Sequence, residues 1–151
     1  MRQRRKAREV ALQVLYQLDV LKIDISEAVE LFWSNFDAPE EVRIFSCLLI
    51  EGTWHNVDLI DDLISSCSEN WSIARMSKVD KNILRMAVYE LLYCQDIPPK
   101  VTLNEAIDLG KLYGSENSGS FINGILDALY AKLRKKDEDQ HLVATAEHSE
   151  S

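Results

Sequence analysis

Two stretches of this 151-residue chain carry residue types suited to binding nucleic acid. The first is RQRRKAR, residues 2–8, in which Arg2, Arg4, Arg5, Lys6 and Arg8 occur without an acid among them. They fall in the first turns of an expected helix, against the positive end of its dipole. Each nearby charge costs about 0.3–1 kcal/mol there. A sequence shaped only for helix stability would place acids at these positions, so the cluster points to binding. Such charges neutralise phosphates whatever the base sequence; the plain alternative is a solvated, frayed terminus. The second stretch is YGSENSGSF, Tyr113 to Phe121. Its small polar residues offer hydrogen-bonding groups, and the terminal aromatics could stack on unpaired bases. Tyr113 and Phe121 could equally be core anchors that hold two helix ends together. Because Gly114 to Ser120 leave its helix end accessible, Phe121 is expected to stack, while Tyr113 stays open between the two roles.

Catalytic constellations are missing. There is no G-x-S-x-G elbow, no P-loop and no dinucleotide fingerprint. His55 has no cysteine or second histidine at metal-binding spacing, and Asp58, Asp61 and Asp62 read as a solvated acidic face. We therefore expect no enzyme activity, no cofactor and no metal. Cys47, Cys67 and Cys94 are odd in number and form no C-x-x-C pair, which fits reduced thiols of a cytoplasmic protein. No run of about 18 uncharged apolar residues occurs, so no membrane span is expected. The basic N-terminus is not followed by an apolar signal core.

The net charge of −8 conceals an asymmetry. Residues 1–8 are purely basic, residues 137–151 carry five acids and no Lys or Arg, and residues 9–136 carry twenty acids and twelve bases. A basic arm on an acidic body suits two partners, one anionic and one cationic.

The elements that must position these residues all read as helices. The stretch SKVDKNILRMAVYELLYC, Ser77 to Cys94, is apolar nearly all round, which marks a buried central helix. Ser77 with Asp80 makes a capping-box-like start. Arg85 and Glu90 interrupt the apolar surface and must reach the rim or a partner. A first helix runs from about Arg4 to Val20, and a second, capped by Ser26, to about Asn35. A long pattern from Pro39 to about Cys67 is bent or broken near Gly52. Trp71 is expected to be a buried aromatic in the connector that follows. Thr102 and Glu105 suggest a second capping box, Gly114 a stop, and Gly124 a point of close packing in the last helix. Residues 1–136 are expected to form one helical domain, and residues 137–151 a disordered acidic tail.

Four motifs, in order, carry a family resemblance: AREVALQVLY after the arginines, ILRMAVYEL from Ile83, PKVTLNEA from Pro99, and SGSFINGILD from Ser118. The chain resembles the NusB family of bacterial transcription antitermination factors over residues 4 to about 134. The resemblance implies an all-α fold of about seven helices in two small packed bundles. It also implies binding of single-stranded boxA RNA in ribosomal RNA leader transcripts, jointly with the ribosomal protein NusE, within the transcription elongation complex. By position, Arg4, Arg5, Lys6 and Arg8 match the family's arginine-rich motif. Tyr113, Asn117, Ser120 and Phe121 match its second RNA-contacting region, and Tyr16 and Asp80 match the NusE-facing side. Asn117 stands where an acid is often found and Ser120 where a lysine can stand, so the loop carries fewer charges than is usual. The alternative is a protein-only helical module that self-associates as a homodimer and binds RNA conditionally. The module also resembles the N-terminal part of an rRNA cytosine methyltransferase, but we expect this chain not to be that enzyme, because it ends before a catalytic domain.

Overall fold

A computed structural model describes residues 2–68 and 72–149, except for the side chains of Arg2 and residues 138–149. Among the described residues seven α-helices follow one another: α1 (Arg2–Leu21), α2 (Ile25–Asn35), α3 (Glu40–His55), α4 (Val57–Cys67), α5 (Lys78–Tyr93), α6 (Pro99–Tyr113) and α7 (Ser118–Ser149), with a 3₁₀ turn at Ile73–Arg75. Helices α1, α2 and α3 pack on one another, and α4, α6 and α7 gather on the other side. Helix α5 lies between the two groups, against α1, α3, α4, α6 and α7. This is the expected all-helical pair of bundles. Trp71 lies outside the described residues.

The central position of α5 follows from its sequence. Eleven consecutive residues, Asp80 to Glu90, are buried, so no face is left for solvent. The Ser77 hydroxyl accepts the Asp80 N–H at 3.1 Å and caps the helix. Total burial forces the two interrupting charges to find partners inside. Arg8 of α1 forks onto Glu90, with Nε to Oε2 at 2.9 Å and Nη2 to Oε1 at 2.7 Å. The Thr102 hydroxyl of α6 donates to the same Oε1 at 3.1 Å. Arg85 forks onto Asp61 of α4 at 2.8 and 2.7 Å. Asp19 of α1 then takes Lys81 Nζ at 2.9 Å and Asn82 Nδ2 at 3.2 Å.

Several local expectations change. Thr102 and Glu105 do not cap α6: Pro99 occupies its first turn, the helix starts four residues earlier than a Thr102 cap requires, and Thr102 points inward. Asp24 caps α2, accepting the Ser26 N–H at 3.1 Å, so Ser26 is already helical. Pro39 precedes α3 rather than starting it. The break in the long pattern comes at Asn56, whose side chain donates to the Gly52 carbonyl at 2.7 Å. Gly52 itself is needed for close approach, since a Cβ there would overlap the Tyr89 ring. A Cβ at Gly124 would meet open space, so that glycine does not permit close packing. The backbone of α7 is helical through Ser149; neither Pro nor Gly follows Gly124 to stop it. The side chains of most of the acidic tail expected at residues 137–151 lie outside the described residues.

Two outcomes follow from the buried charges. Arg8→Ala or Glu90→Ala should each cost about 3–5 kcal/mol in urea denaturation, because each strands a buried charge. Arg8→Met with Glu90→Leu should recover most of that loss; a double variant as unstable as the singles would contradict the account. The second concerns acid. Burial opposes ionisation of Asp19, but Lys81, Arg85 and Asn82 together outweigh it and hold its pKa below the ordinary 3.8. Its contribution to stability is therefore complete above the unfolded-state pKa and is lost as pH falls through the lower folded value. Thermal melts of Asp19→Asn and the parent should differ at pH 7 and converge in acid below 3.8.

Candidate nucleic-acid interface

The basic residues of α1 have three different fates. Arg4 leans on α3, its guanidinium carbon 4.6 Å from the Phe45 ring centroid, and sits 3.6 Å from Asp96. Arg5 crosses to α6, where Nε and Nη2 reach the Glu105 carboxylate at 3.1 and 3.0 Å and Nη2 reaches Asp108 at 2.9 Å. Those carboxylates push the Arg5 pKa up, the hydrogen bond to Glu105 most strongly. Lys6 is exposed and has no ion-pair partner among the described residues. Arg8 is 3% exposed and engaged with Glu90, so its guanidinium faces the core. The spacing of the arm explains this split: Ala7, Arg8, Val10 and Ala11 all fall on the buried side of α1.

The second stretch turns the corner from α6 to α7. The Ser118 hydroxyl accepts the Ser115 N–H at 2.8 Å and fixes the start of α7. The Asn117 carbonyl accepts the Phe121 N–H at 3.1 Å and the Ser120 hydroxyl at 3.2 Å. Asn117 and Ser120 are exposed; Phe121 is half-buried and packs against the core. The more accessible ring is that of Tyr113, 43% exposed. Burial, and then the nearby Glu9 carboxylate, push its pKa above 10.0. Exposure thus favours Tyr113 over Phe121 as a stacking platform.

Arm and corner meet across α6. One cleft, of about 280 Å³, lies between Arg5 and Glu9 of α1 and Glu105, Asp108 and Lys111 of α6. A second lies between Asn104, Asp108 and Lys111 of α6 and Gly119, Ser120 and Asn123 of α7. Asp108 and Lys111 border both, so the surface is continuous. As site residues, Glu105, Asp108, Lys111 and Asn123 are not singled out by the sequence, which marks Glu105 only as half of a capping box. The signal was present in part: Asn104, Asp108 and Lys111 recur at helical spacing and form one polar stripe.

Tyr16 lies farther along the exposed stripe of α1 that starts at Arg5 and passes Glu9 and Gln13, about 16 Å from Arg5 at 1.5 Å per residue. It is 41% exposed. Asp80 is 8% exposed in the first turn of α5, and its Oδ1 has no hydrogen-bond partner among the described residues. It follows Val79 and precedes Lys81, which reaches Asp19 one turn beyond Tyr16. Tyr16 and Asp80 are thus near in sequence to the Asp19–Lys81 ion pair that joins α1 to α5.

Residues 5–131 match the family model of the NusB family. The Transcription antitermination protein NusB of Syntrophus aciditrophicus (strain SB) is 67% identical over 150 residues, covering 99% of this chain and 93% of that protein. Among solved structures, T. maritima NusB superposes with a TM-score of 0.76 at 41% identity, covering 83% of this chain and 89% of that one. A chain from the crystal structure of the antitermination factors NusB and NusE in complex with dsRNA gives a TM-score of 0.78 at 29% identity, covering 87% and 98%. On these matches, which agree with the all-helical fold, the chain belongs to the NusB family.

Proposed function

We propose that this chain is a transcription antitermination factor. It binds boxA-type single-stranded RNA in ribosomal RNA leader transcripts together with NusE, and so supports rRNA synthesis in the bacterial cytoplasm. The observation that carries the reading is the continuous α6 surface joining the basic arm to the Tyr113–Phe121 corner, although the two are about a hundred residues apart in sequence. Cations at one end and exposed polar groups with an accessible ring at the other suit a single strand, whose phosphates and splayed bases need both. The chain's acidic body suits a basic ribosomal protein. In the described residues no helix is long and apolar enough to cross a membrane.

Within this reading Arg4, Lys6 and Lys111 meet phosphates, Tyr113 stacks on a base, and Asn117 and Ser120 offer hydrogen bonds. Arg8 acts indirectly, by fixing α1 to α5 and α6. The NusE side is the α1–α5 junction. There Tyr16 supplies an exposed aromatic, and Asp80 places a largely buried carboxylate in the first turn of α5.

Titration with a boxA-type single strand over a salt series tests the RNA site. Replacing Arg4, Lys6 and Lys111 with alanine should flatten the slope of log K against log salt by about 2, at about 0.7 per phosphate contact. Tyr113→Ala should cost about 1–3 kcal/mol of binding with little change in melting temperature. An unchanged slope would remove this surface from the RNA site. For the partner, Tyr16→Ala and Asp80→Asn should weaken the complex with NusE, read by calorimetry, and leave RNA binding by the isolated chain unchanged. Equal loss of both activities would reject the division of the α1 stripe into two sites.

A further inference from the structure

Arg5 differs from Arg4 and Lys6, the other exposed cations of the arm, because its fork is already filled. Two of its nitrogens face the Glu105 carboxylate and one of them also reaches Asp108, at 2.9–3.1 Å. Arg4 by contrast rests on a ring beside the largely exposed Asp96. Glu105 is well placed to hold its position: its side chain is only 18% exposed, and it stands one turn beyond Thr102, which is tied to Glu90. A carboxylate offers an arginine the same two-pronged geometry that a phosphate offers. The clamp sits in the wall of the cleft that leads to the second stretch, beside Lys111.

We propose that Glu105 and Asp108 form a built-in competitor for Arg5, and that these two acids set the affinity and salt dependence of the RNA site. The inference rests on the RNA-binding reading above and names a control on that same surface. Arg5 meets a phosphate only by exchanging carboxylates for it. The cations shed by the phosphate are matched by cations gathered by the freed carboxylates, so Arg5 adds little to the salt slope. A lone anion has no other contacts to offset the lost clamp. A strand that also engages Lys6, Lys111 and the α6–α7 corner does. The clamp thus favours a strand that fits the whole surface over polyanions that touch only the arm.

The test uses the full chain and two probes, a boxA-type single-stranded RNA and a scrambled strand of equal length, over a salt series. The variants are Glu105→Gln with Asp108→Asn, the same pair in an Arg5→Ala background, and Asp62→Asn on α4 as a control for net charge. Circular dichroism and melting temperature confirm folding, and the amide replacements preserve shape. The Glu105→Gln, Asp108→Asn chain should bind the boxA strand roughly two- to five-fold tighter. Its salt slope should steepen by about 0.7, and the scrambled strand should gain at least as much. The gain should vanish in the Arg5→Ala background, and Asp62→Asn should give none. Weaker or unchanged binding would overturn the inference, because the acids would then be holding Arg5 in its RNA-binding pose. An equal gain without Arg5 would overturn it as a plain charge effect. Absence of boxA binding by the parent chain, with NusE added as well as without, would instead reject the RNA reading, and the inference with it.

Discussion

A helix with no outward face must carry its charges inward, and in this fold the Glu90 carboxylate is where that constraint bears most. Water cannot reach it, so its solvation comes from protein donors: the Arg8 fork and the Thr102 hydroxyl. Those donors come from α1 and α6, which hold the two halves of the proposed RNA surface. Satisfying one buried charge therefore fixes the relative placement of helices far apart in sequence. A geometry in which α1 slid by one turn would leave both Arg8 and Glu90 buried and unpaired, at a cost of several kcal/mol. The pair thus selects one arrangement of helices that apolar packing alone would hold less strictly.

The same logic, at lower stakes, runs through the Asp19–Lys81–Arg85–Asp61 network at the other end of α5. It ties α1 and α4 to α5 close in sequence to Tyr16 and Asp80. Both proposed binding regions are therefore backed by buried ion pairs, and α1 contributes to each. Its inner face is locked to α5, while its outer stripe runs from Arg5 to Tyr16. A partner and an RNA strand would lie along one rigid rod, with no loop between them to blur their spacing.

Electrostatics also shape how the surface works. The basic arm does not present a row of equivalent free cations. Arg8 belongs to the core, Arg5 is held by acids of α6, Arg4 lies on Phe45, and Lys6 is open to solvent. A cluster that looks uniform in sequence becomes a graded set, because a helix sends residues one apart in sequence about 100° apart in direction.

What the sequence alone determined was the local and periodic part. The apolar pattern identified the buried helix at Ser77–Cys94, the serine cap, the all-helical class and the arm itself, because helical period and capping act over three or four residues. Family motifs added the two-bundle arrangement. Tertiary structure alone decided what depends on contacts between distant segments. It turned Arg8 from a candidate RNA contact into a core strut and turned Thr102 from a cap into a ligand of Glu90. It gave Tyr113 more exposure than Phe121, and set Glu105 and Asp108 against Arg5. None of these is legible from spacing, because each depends on which residue, about a hundred or fewer positions away, comes to lie opposite once α5 is enclosed.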